Sequence, residues 1–168
     1  MKKLDFENSI GFAIKNTSKS LEKALDVELR GLYGLSGGKW KAIIALSIQN
    51  GLSQRDLAER IFVDGTTLVP IIDNMEKKGL VERRTDPKDR RNNHVFLTTK
   101  SELLVDPIID SILRLRKIVY KNISEKDLEF ARNILMKIIE NAESYVTKNE
   151  DKIQLPLNQK AKVQSNPR

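Results

Sequence analysis

The chain has 168 residues, 30 Lys and Arg against 23 Asp and Glu, one histidine and no cysteine. That length holds one domain of ordinary size plus a long helix or tail, and 39% hydrophobic with 32% charged residues suits a soluble helical protein. Without cysteine there is no disulfide, thiol catalysis, thiol redox sensing or thiolate metal site, and His94 alone cannot make a multi-histidine zinc site. No run of 18 apolar residues spans a membrane. Met1-Lys2-Lys3 is followed by Leu4-Asp5-Phe6-Glu7, which has no apolar secretory core, so a cytoplasmic location is expected. The formal charge of +7 points to an acidic partner such as nucleic acid.

From about Leu4 to Leu32, Ile10, Ile14, Leu21, Leu25 and Leu29 recur at helical spacing, with Lys15, Lys19, Glu22 and Asp26 on the other face. So long an apolar stripe outruns one small core, which implies that part of it faces a partner chain. Gly31, Gly34, Gly37 and Gly38 break the pattern. Lys39 to Ile48, with Trp40, Ile43, Ile44, Leu46 and Ile48, reads as a short buried helix ended by Asn50-Gly51.

Three helix starts follow: Ser53 with Asp56, Thr99 with Glu102, and Ser124 with Asp127, each a hydroxyl with a carboxylate three residues on. Leu103, Leu104, Ile108, Ile109, Ile112, Leu113 and Val119 mark a helix in which Pro107 predicts either a kink or a first segment ending near Asp106. Leu128, Ala131, Ile134, Leu135, Ile138, Ile139 and Ala142 form a last helical stripe. Beyond Thr147 the chain turns polar, with Pro156 and Pro167, and a mobile tail is expected. Strand signal is confined to Leu80–Thr85 and Asn93–Leu97, around the turn signal Asp86-Pro87-Lys88-Asp89.

The charge is uneven. Lys77 to Arg91 carries seven basic residues (Lys77, Lys78, Arg83, Arg84, Lys88, Arg90, Arg91) against Glu82, Asp86 and Asp89. Just before it, Leu52 to Arg60 forms a capped helix of about two turns, Ile61 to Thr67 a short turn, and Leu68 to Lys78 a second amphipathic helix. Leu57, Ala58, Ile61, Leu68, Ile71, Ile72 and Met75 are spaced to form the core of this helix-turn-helix. Such a unit serves DNA binding or, alternatively, protein–protein interaction without DNA readout.

The sequence resembles the MarR-type winged helix-turn-helix repressors. The resemblance is carried by Leu52-Ser53-Gln54-Arg55-Asp56-Leu57-Ala58, by Asp73 to Arg83, by Asp86-Pro87-Lys88-Asp89-Arg90-Arg91 and by Val95-Phe96-Leu97-Thr98-Thr99. It covers about residues 4–147 in element order. It implies a mainly α winged helix of about six helices with a two-stranded β wing. It also implies an obligate homodimer whose first and last helices interlock, which would account for the surplus apolar stripes. On this reading residues 1–34 and 101–147 form the helical dimerisation region, 35–100 the DNA-binding domain and 148–168 a flexible tail. Relatives often carry a polar reader about six residues into the recognition helix, where this chain has Pro70. A helix starting at Thr66 or Thr67 would keep Pro70 in its first turn and leave readout to the threonine hydroxyls.

The expected function is therefore a homodimeric, sequence-specific double-stranded DNA-binding regulator, a repressor on a near-palindromic operator, with no enzymatic activity, cofactor, metal or membrane partner. Its candidate DNA contacts are Ser53, Gln54, Arg55, Thr66, Thr67, Val69, Pro70, Arg84, Lys88, Arg90 and Arg91. Asp86 and Asp89 would brace the wing by ion pairing, and the family's wing arginine matches Arg90 or Arg91. Two acids cannot occupy every basic group from Arg83 to Arg91, so at least one arginine is left for DNA. Phe12, Tyr33, Trp40 and Tyr120 are candidates for a small aromatic effector pocket, or else core and dimer packing.

Overall fold

The computed structural model describes residues 5–35, 37–85 and 93–153. Its elements run α1 (Ile10–Tyr33), α2 (Lys39–Ile48), β1 (Leu52–Ser53), α3 (Gln54–Arg60), α4 (Gly65–Lys77), β2 (Val81–Thr85), β3 (Asn93–Leu97), α5 (Thr99–Glu102), α6 (Val105–Val119) and α7 (Glu125–Ile153). The chain forms two compact units, residues 1–119 and 120–168. This is the mainly α winged helix the sequence predicts, with one added helical turn, α5, and one added strand, β1.

In the first unit the core gathers Leu29 of α1, Ala42, Ile43 and Leu46 of α2, Leu57 and Ala58 of α3, Leu68, Ile72 and Met75 of α4, and Ile108 of α6. Val81, Val95 and Leu97 of the sheet close it from the other side. Of the seven residues expected to form the helix-turn-helix core, six are buried and Ile71 packs half-buried against them.

Three boundaries differ from the sequence pattern, two of them for a capping reason. Helix α1 begins at Ile10, because the Phe12 amide donates to the Ser9 hydroxyl (3.2 Å) and Asp5–Asn8 fold into a turn ahead of it. The expected cap Thr99 gives way to Thr98, whose amide donates to the Ser101 hydroxyl (3.2 Å); that buried hydroxyl donates on to the Leu80 carbonyl (2.5 Å). The single turn α5 then ends at Glu102, and Pro107 falls in the first turn of α6, where a missing N–H costs nothing. The break Pro107 signals therefore lies earlier than Asp106.

In the second unit α7 opens on Ser124, whose hydroxyl accepts from the Asp127 amide (3.1 Å) and donates to its carboxylate (2.6 Å). The helix runs on to Ile153, past the polar change at Thr147. Its apolar side chains stay exposed, among them Phe130 at 66% and Ile134 at 43%.

The sheet order is β1-β3-β2, antiparallel throughout, with Leu52 opposite Val95, Arg83 opposite Val95 on the other side, and Glu82 opposite Phe96. Strand β1 is two residues long and carries no alternation to read. What holds it is Asn50-Gly51: the Asn50 side chain accepts from the Leu97 amide (2.9 Å), and the Gly51 amide donates to the Val95 carbonyl (3.1 Å). Gly51 has φ 79°, and a Cβ there would lie 2.6 Å from the Phe96 ring. Gly51→Ala combines left-handed strain with that clash, and should lower stability by about 1–3 kcal/mol, read as a lower denaturant midpoint at unchanged slope.

Candidate nucleic-acid interface

The two helices of the motif are started by side chains that bite the backbone. Ser53 accepts from the Asp56 amide (3.1 Å) and donates to the Asp56 carboxylate (2.8 Å), which fixes the first turn of α3. The turn between α3 and α4 contains no glycine before Gly65. Phe62 takes the left-handed conformation itself (φ 58°) and is 94% exposed.

Helix α4 starts earlier than the threonines suggest. Its N-cap is Asp64, whose carboxylate accepts from the Thr67 amide (2.7 Å), the Thr67 hydroxyl (2.8 Å) and the Thr66 hydroxyl. The Thr66 hydroxyl first, then the Thr67 amide and hydroxyl, hold the Asp64 carboxyl down to about 2. Counting from Asp64, Pro70 is the sixth helical residue, beyond the first turn. It gives the Thr66 carbonyl no N–H to accept, the kind of interior proline that costs about 3 kcal/mol. Two conclusions follow for the sequence-predicted readers. Each threonine has one hydroxyl proton, and both protons are already donated to Asp64, so what these side chains offer outward is lone pairs and methyl groups. And the negative Asp64 sits where a helix N-terminus would otherwise attract phosphate.

Spacing along α4 puts Leu68, Ile72 and Met75 inward and lines up Thr66, Pro70, Asp73 and Lys77 outward, with Val69 beside them. All five of these are exposed. Between α3 and α4 runs a groove of about 610 Å³, lined by Gln54, Arg55, Ala58 and Glu59 on one wall and Thr66, Leu68 and Val69 on the other.

The residue that ties this surface together is Arg83 of β2. Its guanidinium donates from Nη2 to Asp73 (2.6 Å), from Nη1 to Glu76 (2.6 Å) and from Nε to the Gln54 side chain (2.7 Å), while its amide donates to Glu76 (3.1 Å). One side chain, 18% exposed, thus joins the start of α3, the outer face of α4 and the wing. Among the predicted DNA contacts Gln54 therefore faces Arg83, whereas Arg55 is exposed on α3. The signal for Arg83 was present as Asp73 and Glu76 at i, i+3 on one helix face, ahead of an arginine in the next strand. Arg84, on the opposite face of β2, lies 4.3 Å over the Phe96 ring and bonds Glu82 (Nε, 2.8 Å). Asp86, Lys88, Asp89, Arg90 and Arg91 lie outside the described residues.

Of the aromatics singled out for an effector, Phe12 and Tyr33 lie far apart on α1. Phe12 stacks edge-on with Phe6 (5.2 Å), and 21 residues of α1, about 31 Å, separate it from Tyr33. Trp40 donates to Asp26 (3.0 Å), and Tyr120 belongs to the second unit. Tyr33 lines a cavity of about 330 Å³ with Leu35, Lys78, Leu80, Lys100 and Leu104.

The MarR family profile matches residues 33–92. Over 119 residues the chain is 32% identical to the HTH-type transcriptional regulator SarZ of Staphylococcus aureus strain USA300, covering 71% of this chain and 74% of that protein. A crystal structure of the transcriptional regulator PA3341 is 31% identical, covers 81% of this chain and 99% of that one, and superposes with a TM-score of 0.72. A MarR protein from Peptoclostridium difficile, 23% identical over 88% of this chain and 95% of its own, shares the fold with a TM-score of 0.76.

Two outcomes test this geometry. Arg83→Met leaves Asp73 and Glu76 unpaired side by side and should cost about 1–3 kcal/mol, the range for hydrogen bonds to charged groups; Arg83→Lys recovers little, because one ammonium cannot reach three acceptors. A double-mutant cycle with Asp73→Asn isolates the pair. The folded Asp64 carboxyl at about 2 lies below its ordinary 3.8, so its contribution is present above about pH 4 and fades as pH falls through about 2. Thermal melts of Asp64→Asn should therefore differ from wild type most at neutral pH and converge across that window.

Proposed function

Because the chain belongs to the MarR family of DNA-binding transcriptional regulators, which are not enzymes, we propose that it is a homodimeric repressor on a near-palindromic operator. In this reading the outward face of α4 enters the major groove, and two such helices engage half-sites about one helical turn apart. The observation that carries it is the division of α4: Leu68, Ile72 and Met75 hold it to the core, while Thr66, Val69, Pro70 and Asn74 stand exposed on an element braced by Arg83. The wing residues Lys88, Arg90 and Arg91 supply the cationic contacts, with Arg91 at the minor groove, where narrow A·T tracts favour arginine. A small aromatic effector would meet Tyr33 at its cavity.

Dimerisation is supported by what each unit leaves uncovered. Helix α7 buries none of its apolar stripe, and α1 exposes Ile10, Val27 and Leu32. A second copy of the same chain is the occupant that the family resemblance and the self-complementary character of such helices favour.

Selection from random duplexes identifies the operator, and titration against salt measures the contacts. Specific, salt-dependent binding to duplex DNA supports the reading; no such binding supports a protein–protein module instead. Arg91→Ala should cost about 1–3 kcal/mol and lower the salt slope by about one ion per subunit. In sedimentation the wild type should be a dimer at micromolar concentration. Ile134→Asp or Ile138→Asp should abolish both the dimer and operator binding; a wild-type monomer that binds the palindrome tightly would contradict the assembly.

A further inference from the structure

We propose that the exposed patch formed by Thr66, Val69 and Pro70 reads thymine through its 5-methyl group, so that the operator positions under the start of α4 are A·T pairs selected by apolar contact. The inference rests on α4 being the groove-facing helix, and names the chemistry by which it reads.

The chemistry follows from what this face offers. Specific reading of guanine uses the paired donors of arginine or lysine on N7 and O6. No arginine, lysine or glutamine stands on α4 before Lys77, at its last turn. The two hydroxyls at its start are both committed to Asp64. Asp73, in line with Thr66 and Pro70, is held by Arg83. What remains outward within the first two turns is the Val69 side chain, the Pro70 ring and the threonine methyls, beside threonine oxygens that can accept but no longer donate, with Val69 and Thr66 also forming the lip of the groove against Ala58. In the major groove only thymine presents an apolar group, its methyl. Asn74, exposed one turn beyond Pro70, is matched to adenine and so adds nothing that calls for guanine.

Pro70 strengthens the argument. A proline at the sixth position forfeits a helical hydrogen bond, and it does so on the outward line of α4 and nowhere near the core. A local rule broken at that place is expected where the residue serves contact with a partner.

The test uses the full chain and its selected operator, with deoxyuridine replacing thymidine one position at a time. This removes a single methyl from the major groove and leaves pairing, phosphates and minor-groove acceptors as they were. At one or two thymines of each half-site, affinity should fall about fourfold, the value of burying one methyl group. Val69→Ala and Pro70→Ala should bind the thymine and uracil duplexes more nearly alike. Pro70→Ala should also melt higher than wild type, since the Thr66 carbonyl regains its N–H, so loss of discrimination cannot be ascribed to misfolding. If the wild type binds its operator tightly yet is indifferent to uracil at every position, the methyl readout is wrong while the DNA-binding reading stands. If it selects no duplex at all, both fall together.

Discussion

The arrangement depends on one guanidinium. The strands of the wing and the helices of the motif meet through a small core, and a core alone fixes neither the angle of β2 nor the rotation of α4 about its axis. Arg83 does both, because its planar fork must satisfy Asp73 and Glu76 on α4 and Gln54 on α3 at the same time. It also removes an electrostatic obstacle. Two carboxylates on the exposed side of a helix meant for a polyanion would oppose its approach, and pairing them with one largely buried cation cuts their net charge from −2 to −1. A lysine provides charge but not the three directions, and a pair of well-packed apolar residues provides packing but leaves the carboxylates out of the design.

The start of α4 shows the same economy at smaller scale. Asp64 gathers three donors from Thr66 and Thr67 and so supplies the helix with its first turn, at the expense of donors that the sequence reserves for DNA. Capping and recognition compete for the same hydroxyl protons, and the cap is nearer. The consequence is a reading face with little polarity of its own, which moves the weight of recognition onto shape and methyl contact.

Most of the fold was legible from hydrophobic period and capping chemistry. Lys39–Ile48 and Asn93–Leu97 have the predicted ends, and Ser53 and Ser124 cap as expected, because in each case the signal lies within four residues of what it controls. What was not legible depended on competition or on distance. Asp64 outcompetes Thr66 and Thr67 as the cap because its carboxylate accepts several donors at once. Strand β1 is too short to carry a period and exists only because Asn50-Gly51 clip it to β3. Phe62 adopts a conformation for which glycine is the usual marker, so the turn carries no punctuation. The role of Arg83 joins residues 29 positions apart, and a count of charges in one window does not separate it from the other basic residues there.

The bracing role of Arg83 bears on where binding energy for DNA would come from. Of the seven basic residues between Lys77 and Arg91, Arg83 is bound to α3 and α4, and Arg84 is drawn onto Glu82 and Phe96. The other basic residues of that window are Lys77 and Lys78 at the C-terminal end of α4 and Lys88, Arg90 and Arg91 in the sequence between β2 and β3. On the proposed reading, cationic contact therefore falls toward the far end of α4 and the wing and not on the start of α4. Contacts to phosphate release counterions and set affinity and its salt dependence; contacts to base edges set sequence preference. In most helix-turn-helix surfaces one arginine can serve both purposes. On the proposed reading the two purposes fall on separate residues, so strength of binding and choice of sequence would be open to change independently, the first through the wing and the second through the few side chains around Pro70.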